Sequence, residues 1–267
     1  MKSFSQDIPL TLEDLIPGGK TNYKYRAEMP RQINWHGDIL TYVKGDSIMT
    51  VPLTEKSTSR LFLSLSDINN GLKLNADESL RSLNAVQFVS GEPNNLLVVT
   101  AQNFYFYDFV EKSTKASFRN LENMENHEWS EKSKMLAYTK GNNLYVQNSE
   151  GKEFIITNEK EAGIVSGQAV HRNEFGINKG IFWSPSGNIL AFYRMDETMV
   201  TDYPLVDVSA RIAKLKNVKY PMAGMKSHQV TVGVYNPVTE QTVFLKTGAP
   251  KEKYLTNIAW SPDEKYI

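Results

Sequence analysis

Apolar residues along this chain fall into short runs, and each run ends at a polar or glycine-containing turn. The clearest runs are Ile39–Val43, Leu96–Thr100, Phe104–Tyr107, Met135–Tyr138, Leu144–Val146, Phe154–Thr157, Ile189–Tyr193 and Val230–Tyr235. Runs of this length, rich in β-branched and aromatic residues, predict strands joined as antiparallel hairpins. No helical pattern of about 10–15 residues alternates with the runs, which argues against a parallel α/β sheet.

One short helix is predicted near the N-terminus. Thr11 and Asp14 stand at the spacing of a capping box, with Asp in place of the usual Glu. Leu15 and Ile16 follow, and the Pro17-Gly18-Gly19 sequence then stops the helix. We therefore expect only one or two helical turns.

An internal repeat carries the fold prediction. The sequence Trp183-Ser184-Pro185 followed by an apolar strand recurs at Trp260-Ser261-Pro262. Looser copies begin at the aromatic residues Trp129, Phe88 and Trp35. Neighbouring copies are 41 to 77 residues apart, and about 40–50 residues make one four-stranded blade of a β-propeller. The longest interval predicts an insertion, which we place between Thr198 and Ser227.

We therefore predict an all-β chain: an N-terminal extension with a short helix over residues 1–30, then an incomplete β-propeller over residues 31–267. Each blade is expected to be an antiparallel four-stranded sheet, and the chain is long enough for about four to five blades. The last repeat reaches Ile267 just where its next strand should begin. Because a half-blade leaves unpaired strand edges, we expect this sequence to be a fragment of a longer protein.

Composition excludes several functions. Thirty basic and thirty acidic residues leave no net charge, so nothing favours nucleic-acid binding. There is no apolar stretch long enough to insert in a membrane, and no cysteine for disulfides, thiolate metal sites or cysteine nucleophiles. The first seven residues lack the apolar core of a signal peptide. Either the protein is not exported, or the sequence starts at the mature N-terminus.

Catalytic signatures are missing from the sequence as well. It contains no G-x-S-x-G nucleophile elbow, no H-E-x-x-H and no P-loop. The four histidines lie at least 44 residues apart, so the sequence predicts no local metal site and no cofactor. Each histidine is interpreted as a surface or hydrogen-bonded structural residue.

One segment departs from the pattern of strands and turns. Residues 167–177 mix a histidine, charges of both signs and an amide, directly before the Trp183 repeat. This segment is either a solvated linker between blades or a projecting loop that presents Glu174 to a cationic ligand. A carboxylate binds an ammonium group through charge-assisted hydrogen bonds.

Four stretches resemble the N-terminal propeller of the dipeptidyl peptidase IV family. They are Ala169–Phe175, Phe182–Pro185, Ala191–Glu197 and Lys219–Gly224, and the opening Leu10–Ile16 is similar to the start of the mature family proteins. The similarity runs from about residue 10 to residue 267 and is strongest to the prolyl tripeptidyl branch.

The resemblance implies a serine exopeptidase with an eight-bladed propeller and an α/β-hydrolase domain that carries a Ser-Asp-His triad. The later blades and the triad have no counterpart here, so this chain alone is expected to be inactive. In the family, propeller glutamates bind the free N-terminus of the substrate. Only Glu174 matches that position, and Arg172 and Asn173 are carried over only as its neighbours. A single glutamate is typical of the tripeptidyl branch.

Further expectations follow from the resemblance. The full-length protein would be exported to the periplasm or outer surface and would cleave peptides with proline before the scissile bond. The inserted hairpin could serve as the contact of a homodimer.

Arg194 and Asp196, two apart on one strand, are predicted to form a structural pair. A non-catalytic propeller that binds protein partners is the alternative, because a fold does not determine a function.

Overall fold

The computed structural model describes residues 9–25, 29–36, 38–51, 58–89 and 92–267. The chain forms two compact units, residues 1–93 and 94–267. Residues 1–8 and 26–28 of the predicted extension lie outside the described residues, as do Gly37, Ser90 and Gly91 in the two loosest repeat copies. The predicted domain boundary after residue 30 stays a prediction.

The predicted N-terminal helix is confirmed in the first unit. Helix α1 spans Leu12–Leu15 and has both halves of the capping box. The Asp14 carboxylate accepts hydrogen bonds from the backbone N–H and the hydroxyl of Thr11, each at 2.7 Å. The first of these bonds gives a partner to the backbone N–H at the start of the helix.

The first unit also contains a four-stranded antiparallel sheet with strand order β1-β2-β3-β4. The strands are β1 (Arg31–His36), β2 (Ile39–Lys44), β3 (Ser47–Val51) and β4 (Arg60–Ser64), and the short β5 (Val86–Phe88) follows later. Helix α2 (Leu65–Leu72) lies between β4 and β5 in the sequence, and the hydrophobic pattern did not predict it. Its signal was the capping box formed by Ser64 and Asp67.

The second unit holds the remaining strands. They are β6 (Asn95–Val99), β7 (Asn103–Asp108), β8 (Ser113–Arg119), β9 (Met124–Ser130), β10 (Met135–Lys140), β11 (Asn143–Asn148), β12 (Glu153–Ile155), β13 (Ile164–Ser166), β14 (Ile181–Trp183), β15 (Leu190–Asp196), β16 (Asp202–Asp207), β17 (Lys214–Lys219), β18 (Gln229–Asn236) and β19 (Gln241–Phe244).

These strands form antiparallel meanders of the size of propeller blades. Strands β6, β7 and β8 pair in sequence order, and β9 to β12 form a four-stranded sheet. In the next sheet β15 lies between β18 and the two short strands β13 and β14, and β19 completes the far edge. The prediction of an all-β, partial β-propeller with antiparallel four-stranded blades is confirmed.

The repeat is visible in the hydrogen bonds. Ser184 and Ile189 close the turn after Trp183 through a backbone bond of 2.9 Å, and Ser261 and Tyr266 make the same bond after Trp260. In each copy the serine hydroxyl also accepts a bond from the backbone N–H of the same partner residue, at 3.2 and 3.0 Å.

The tryptophans of the two strict copies, Trp183 and Trp260, also bond to the repeat before them. The indole N–H of Trp183 donates to the carbonyl oxygen of Glu128, at 3.0 Å, and that of Trp260 to the carbonyl oxygen of Phe182, at 3.1 Å. Glu128 and Phe182 are the residues directly before Trp129 and Trp183. Each bond therefore links the tryptophan of one repeat to the preceding repeat, at the residue next to that repeat's own tryptophan.

The core of the second unit lies between successive sheets. Two buried clusters share strand β15: one joins it to β10 and β11, and the other joins it to β18 and the segment after β13. Gly233 lies against the Phe192 ring so closely that a Cβ there would come within 2.4 Å of it. A side chain at that position would overpack the sheet.

The predicted insertion is an extra hairpin. Strands β16 and β17 pair only with each other and carry several exposed apolar side chains. None of the described helices is long and apolar enough to cross a membrane.

Candidate functional site

The segment His171–Gly176 forms a tight, irregular turn between β13 and β14. Its backbone is unusual, because Arg172, Asn173 and Phe175 adopt positive φ angles of 52°, 63° and 53°. Such conformations cost energy for residues other than glycine and persist only where the surroundings hold them. Val170 and Ile177 supply that support, since both are buried in the core at either end of the turn.

Glu174 lies at the exposed tip of this turn. Its Oε2 atom accepts a hydrogen bond of 2.7 Å from the hydroxyl of Tyr254. This bond raises the pKa of Tyr254, because loss of the phenol proton would remove the donor and place two negative charges together. The carboxylate is therefore accessible to solvent and is already held by one donor.

A pair of buried histidines lies beneath the turn. His171 Nδ1 and His228 Nε2 are 3.0 Å apart, and the backbone N–H of Leu255 donates to His171 Nε2 at 3.2 Å. Because Nε2 of His171 is an acceptor, its proton is assigned to Nδ1, which donates to His228.

Both histidines favour the neutral form. Burial, followed by the neighbouring His228, lowers the pKa of His171 to about 4. Burial, followed by the charge of Arg172, also lowers the pKa of His228. The interpretation of these two histidines as hydrogen-bonded structural residues is confirmed.

The two predicted neighbours of Glu174 have different positions. The Arg172 guanidinium donates to the carbonyl oxygen of Lys219 at 2.5 Å and lies 4.5 Å from the centre of the Tyr220 ring. It therefore contacts the segment at the end of the inserted hairpin. The side chain of Asn173 is exposed, and its backbone N–H donates to Val170. Of the three residues, Glu174 offers the exposed carboxylate for an ammonium group.

The predicted pair of Arg194 and Asp196 is not the ion pair that forms. Arg194 instead bonds to Glu159, with 2.6 Å between Nε and Oε1. The Asp196 carboxylate accepts bonds from the backbone and hydroxyl of Thr198. Both residues line a cavity of about 340 Å³ together with Lys251.

Sequence reasoning missed Tyr254 and the pairing of His171 with His228. Tyr254 is 80 residues from Glu174 along the chain, and no local motif marks it. In the described part of the chain no three His, Asp or Glu side chains come together as a metal site.

The family model for the dipeptidyl peptidase IV (DPP IV) N-terminal region matches residues 94–267, more than half of the chain. The chain belongs to the dipeptidyl peptidase IV family. The matched region contains the complete turn with Glu174 and both of the strict tryptophan repeats.

Solved structures agree with this membership. A candidate dipeptidyl aminopeptidase IV from Bacteroides ovatus is 44% identical with a TM-score of 0.78, and the match covers 96% of this chain and 35% of that one. Porphyromonas gingivalis dipeptidyl peptidase 4 has a TM-score of 0.66 at 18% identity, over 93% of this chain and 36% of that chain. The second match shows that the two proteins share a fold.

Curated relatives of the dipeptidyl peptidase IV family are longer than this chain. Saccharomyces cerevisiae dipeptidyl aminopeptidase B is 24% identical over 212 residues, which cover 75% of this chain and 25% of the yeast protein. Aspergillus niger dipeptidyl-aminopeptidase B is 29% identical over 160 residues, covering 52% and 18%. The chain therefore spans about a quarter or less of the length of these relatives in the matched region.

Proposed function

We propose that this chain is the N-terminal propeller part of a post-proline serine exopeptidase and that Glu174 anchors the free N-terminus of the peptide substrate. The observation that carries the proposal is the exposed Glu174 carboxylate at the tip of a strained, core-anchored turn. The membership in the dipeptidyl peptidase IV family supports it. The propeller admits the substrate, and the Ser-Asp-His triad belongs to a hydrolase domain outside this chain.

The chemistry of the anchor favours substrates with a free amine. An ammonium group in an exposed site keeps strong hydrogen bonds only to a negatively charged acceptor. Among residues 172–174 the turn offers one carboxylate, because Arg172 bonds to Lys219 and Asn173 is uncharged. With one anchoring glutamate the ammonium can lie farther from the nucleophile, so we propose release of tripeptides that end in proline.

The test is Glu174→Gln in the full-length enzyme, because glutamine keeps the size of the side chain and removes its charge. A hydrogen bond to a charged group contributes about 1.5–3 kcal/mol, so kcat/KM for free-amine peptides should fall by about ten- to a hundredfold. N-acetylated peptides, which carry no ammonium, should be cleaved equally by both enzymes. The matched control is Glu161→Gln, an exposed glutamate on the loop before β13, which should leave kcat/KM unchanged.

An unchanged kcat/KM in the Glu174→Gln enzyme would show that Glu174 is only a linker residue. Comparison of X-X-Pro with X-Pro chromogenic substrates tests the length of the released peptide. A clear preference for X-Pro would move the protein to the dipeptidyl branch.

We propose two further properties of the full-length protein. It is exported to the periplasm or outer surface, as the resemblance to the mature family proteins implies. It forms a homodimer through the β16–β17 hairpin, whose exposed Leu205, Val206 and Leu215 give that hairpin an apolar surface.

A further inference from the structure

We propose that Tyr254 is a positioning residue for Glu174: its hydroxyl fixes the carboxylate so that the second oxygen faces the substrate ammonium. This inference rests on the proposed function of Glu174 as the anchor. It adds a residue from a distant part of the chain to the site and assigns a role to the hydroxyl group itself.

The ring of Tyr254 is held by the two residues nearest to the base and tip of the turn. It stacks on His171, with 4.2 Å between ring centres and 26° between the planes. It also meets Phe175 edge to face, with 5.3 Å between centres. Both geometries are favourable for aromatic pairs. The ring therefore has a defined position from which its hydroxyl reaches Glu174.

The backbone beside Tyr254 is fixed as well. The N–H of Leu255 donates to His171, and the carbonyl oxygen of Leu255 accepts a bond of 2.7 Å from the hydroxyl of Tyr193. Tyr193 is buried in strand β15. Tyr254 is thus attached to the sheet on one side and to the turn on the other, which makes it a rigid donor.

A donor in this position changes what Glu174 can do. An ionised carboxylate has two oxygens and about four lone-pair sites, and the Tyr254 hydroxyl uses one of them. The remaining sites are enough for an ammonium group. Because the carboxylate already has a fixed rotamer, less side-chain entropy is lost when the substrate binds.

The aromatic rings add a second contribution. Phe175 and Tyr254 are 72% and 51% exposed; the Tyr254 hydroxyl bonds to the Glu174 carboxylate, and the Phe175 ring contacts the Tyr254 ring. A cation near an aromatic face is attracted by the ring. The proposed site therefore combines one charge, one fixed hydrogen bond and two ring surfaces.

The experiment is Tyr254→Phe in the full-length enzyme, because phenylalanine keeps both ring contacts and removes only the hydroxyl. We expect kcat/KM for free-amine peptides to fall about three- to tenfold, mainly through a higher KM. Cleavage of N-acetylated peptides and the thermal unfolding midpoint should not change. In a Glu174→Gln background the substitution should have no further effect. Tyr266→Phe, at an exposed tyrosine of the last turn, is the matched control.

The outcomes separate this inference from the proposed function. If Glu174→Gln lowers kcat/KM and Tyr254→Phe does not, then Tyr254 does not position Glu174, and Glu174 still anchors the N-terminus of the substrate. If neither substitution has an effect, the anchor itself is wrong. A higher kcat/KM in Tyr254→Phe would show that the hydroxyl competes with the substrate. An equal loss on N-acetylated peptides would show a purely structural role. Either of these two results overturns the inference.

Discussion

The lowered pKa of the buried His171 predicts that the second unit loses stability at acid pH, and His171→Gln should reduce that loss. In the folded chain burial and the neighbouring His228 lower the pKa of His171 from 6.5 to about 4. The unfolded chain therefore binds this proton more readily than the folded chain between those two values. The contribution of neutral His171 to the free energy of unfolding has its full value above pH 6.5 and is lost progressively as the pH falls towards 4.

The magnitude follows from the size of the shift. Each pH unit between the two pKa values is worth about 1.4 kcal/mol, so at pH 5 the protonation of His171 costs about 2 kcal/mol. Glutamine at this position can still accept the bond from Leu255 and donate to His228, but it cannot gain a proton. The His171→Gln chain should therefore lose about 2 kcal/mol less than the natural chain between pH 7 and pH 5.

Urea unfolding followed by tryptophan fluorescence measures this difference directly. Each chain is compared with itself at the two pH values, so any change that the substitution makes at pH 7 cancels. His228, whose pKa is lowered by burial and by the charge of Arg172, is present in both chains. An equal loss of stability in the two chains would show that His171 is not the group that takes up the proton.

Three other substitutions test the packing of the blades. Trp183→Phe keeps an aromatic ring but removes the bond to the Glu128 carbonyl, and it should lower the free energy of unfolding in urea by about 1–3 kcal/mol. Gly187→Ala places a Cβ 2.1 Å from Ser130 Oγ, whereas Gly224→Ala meets no atom within 4 Å, and both glycines have positive φ. Gly187→Ala should therefore lower the thermal unfolding midpoint more than Gly224→Ala, which carries only the backbone strain of about 1–2 kcal/mol.

Most of the fold could be predicted because its signals are local. Every clear apolar run became a strand, and the insertion between Trp183 and Trp260 became a separate hairpin. Helix α2 escaped because it has only eight residues and contains Asn69, Asn70 and Gly71, which are weak helix formers. Its stability comes from the cap and from burial of Leu65 and Ile68, and burial cannot be seen in a short window of sequence.

The candidate site could be predicted only in part. Glu174 stood out because its segment broke the strand pattern. The contacts of Tyr254 and His228 with the turn depend on which strands become neighbours, and the sequence pattern does not contain that information. The same limit explains why the expected pair of Arg194 and Asp196 did not form. Side chains two apart share a face of a strand, but the carboxylate of Glu159, from a distant loop, lies closer to Arg194 than that of Asp196.

The indole N–H groups of Trp183 and Trp260 donate to backbone carbonyl oxygens of the preceding repeat, so these bonds between blades involve no side chain of the accepting residue. Every residue has a carbonyl oxygen, so this bond by itself does not select the side chain of the accepting residue. The bond also forms across different lengths of intervening chain. Trp129 and Trp183 are 54 residues apart and Trp183 and Trp260 are 77 apart, yet Trp183 and Trp260 make the same bond. A blade can thus gain a whole hairpin, as here with β16 and β17, while its connection to the preceding blade is unchanged.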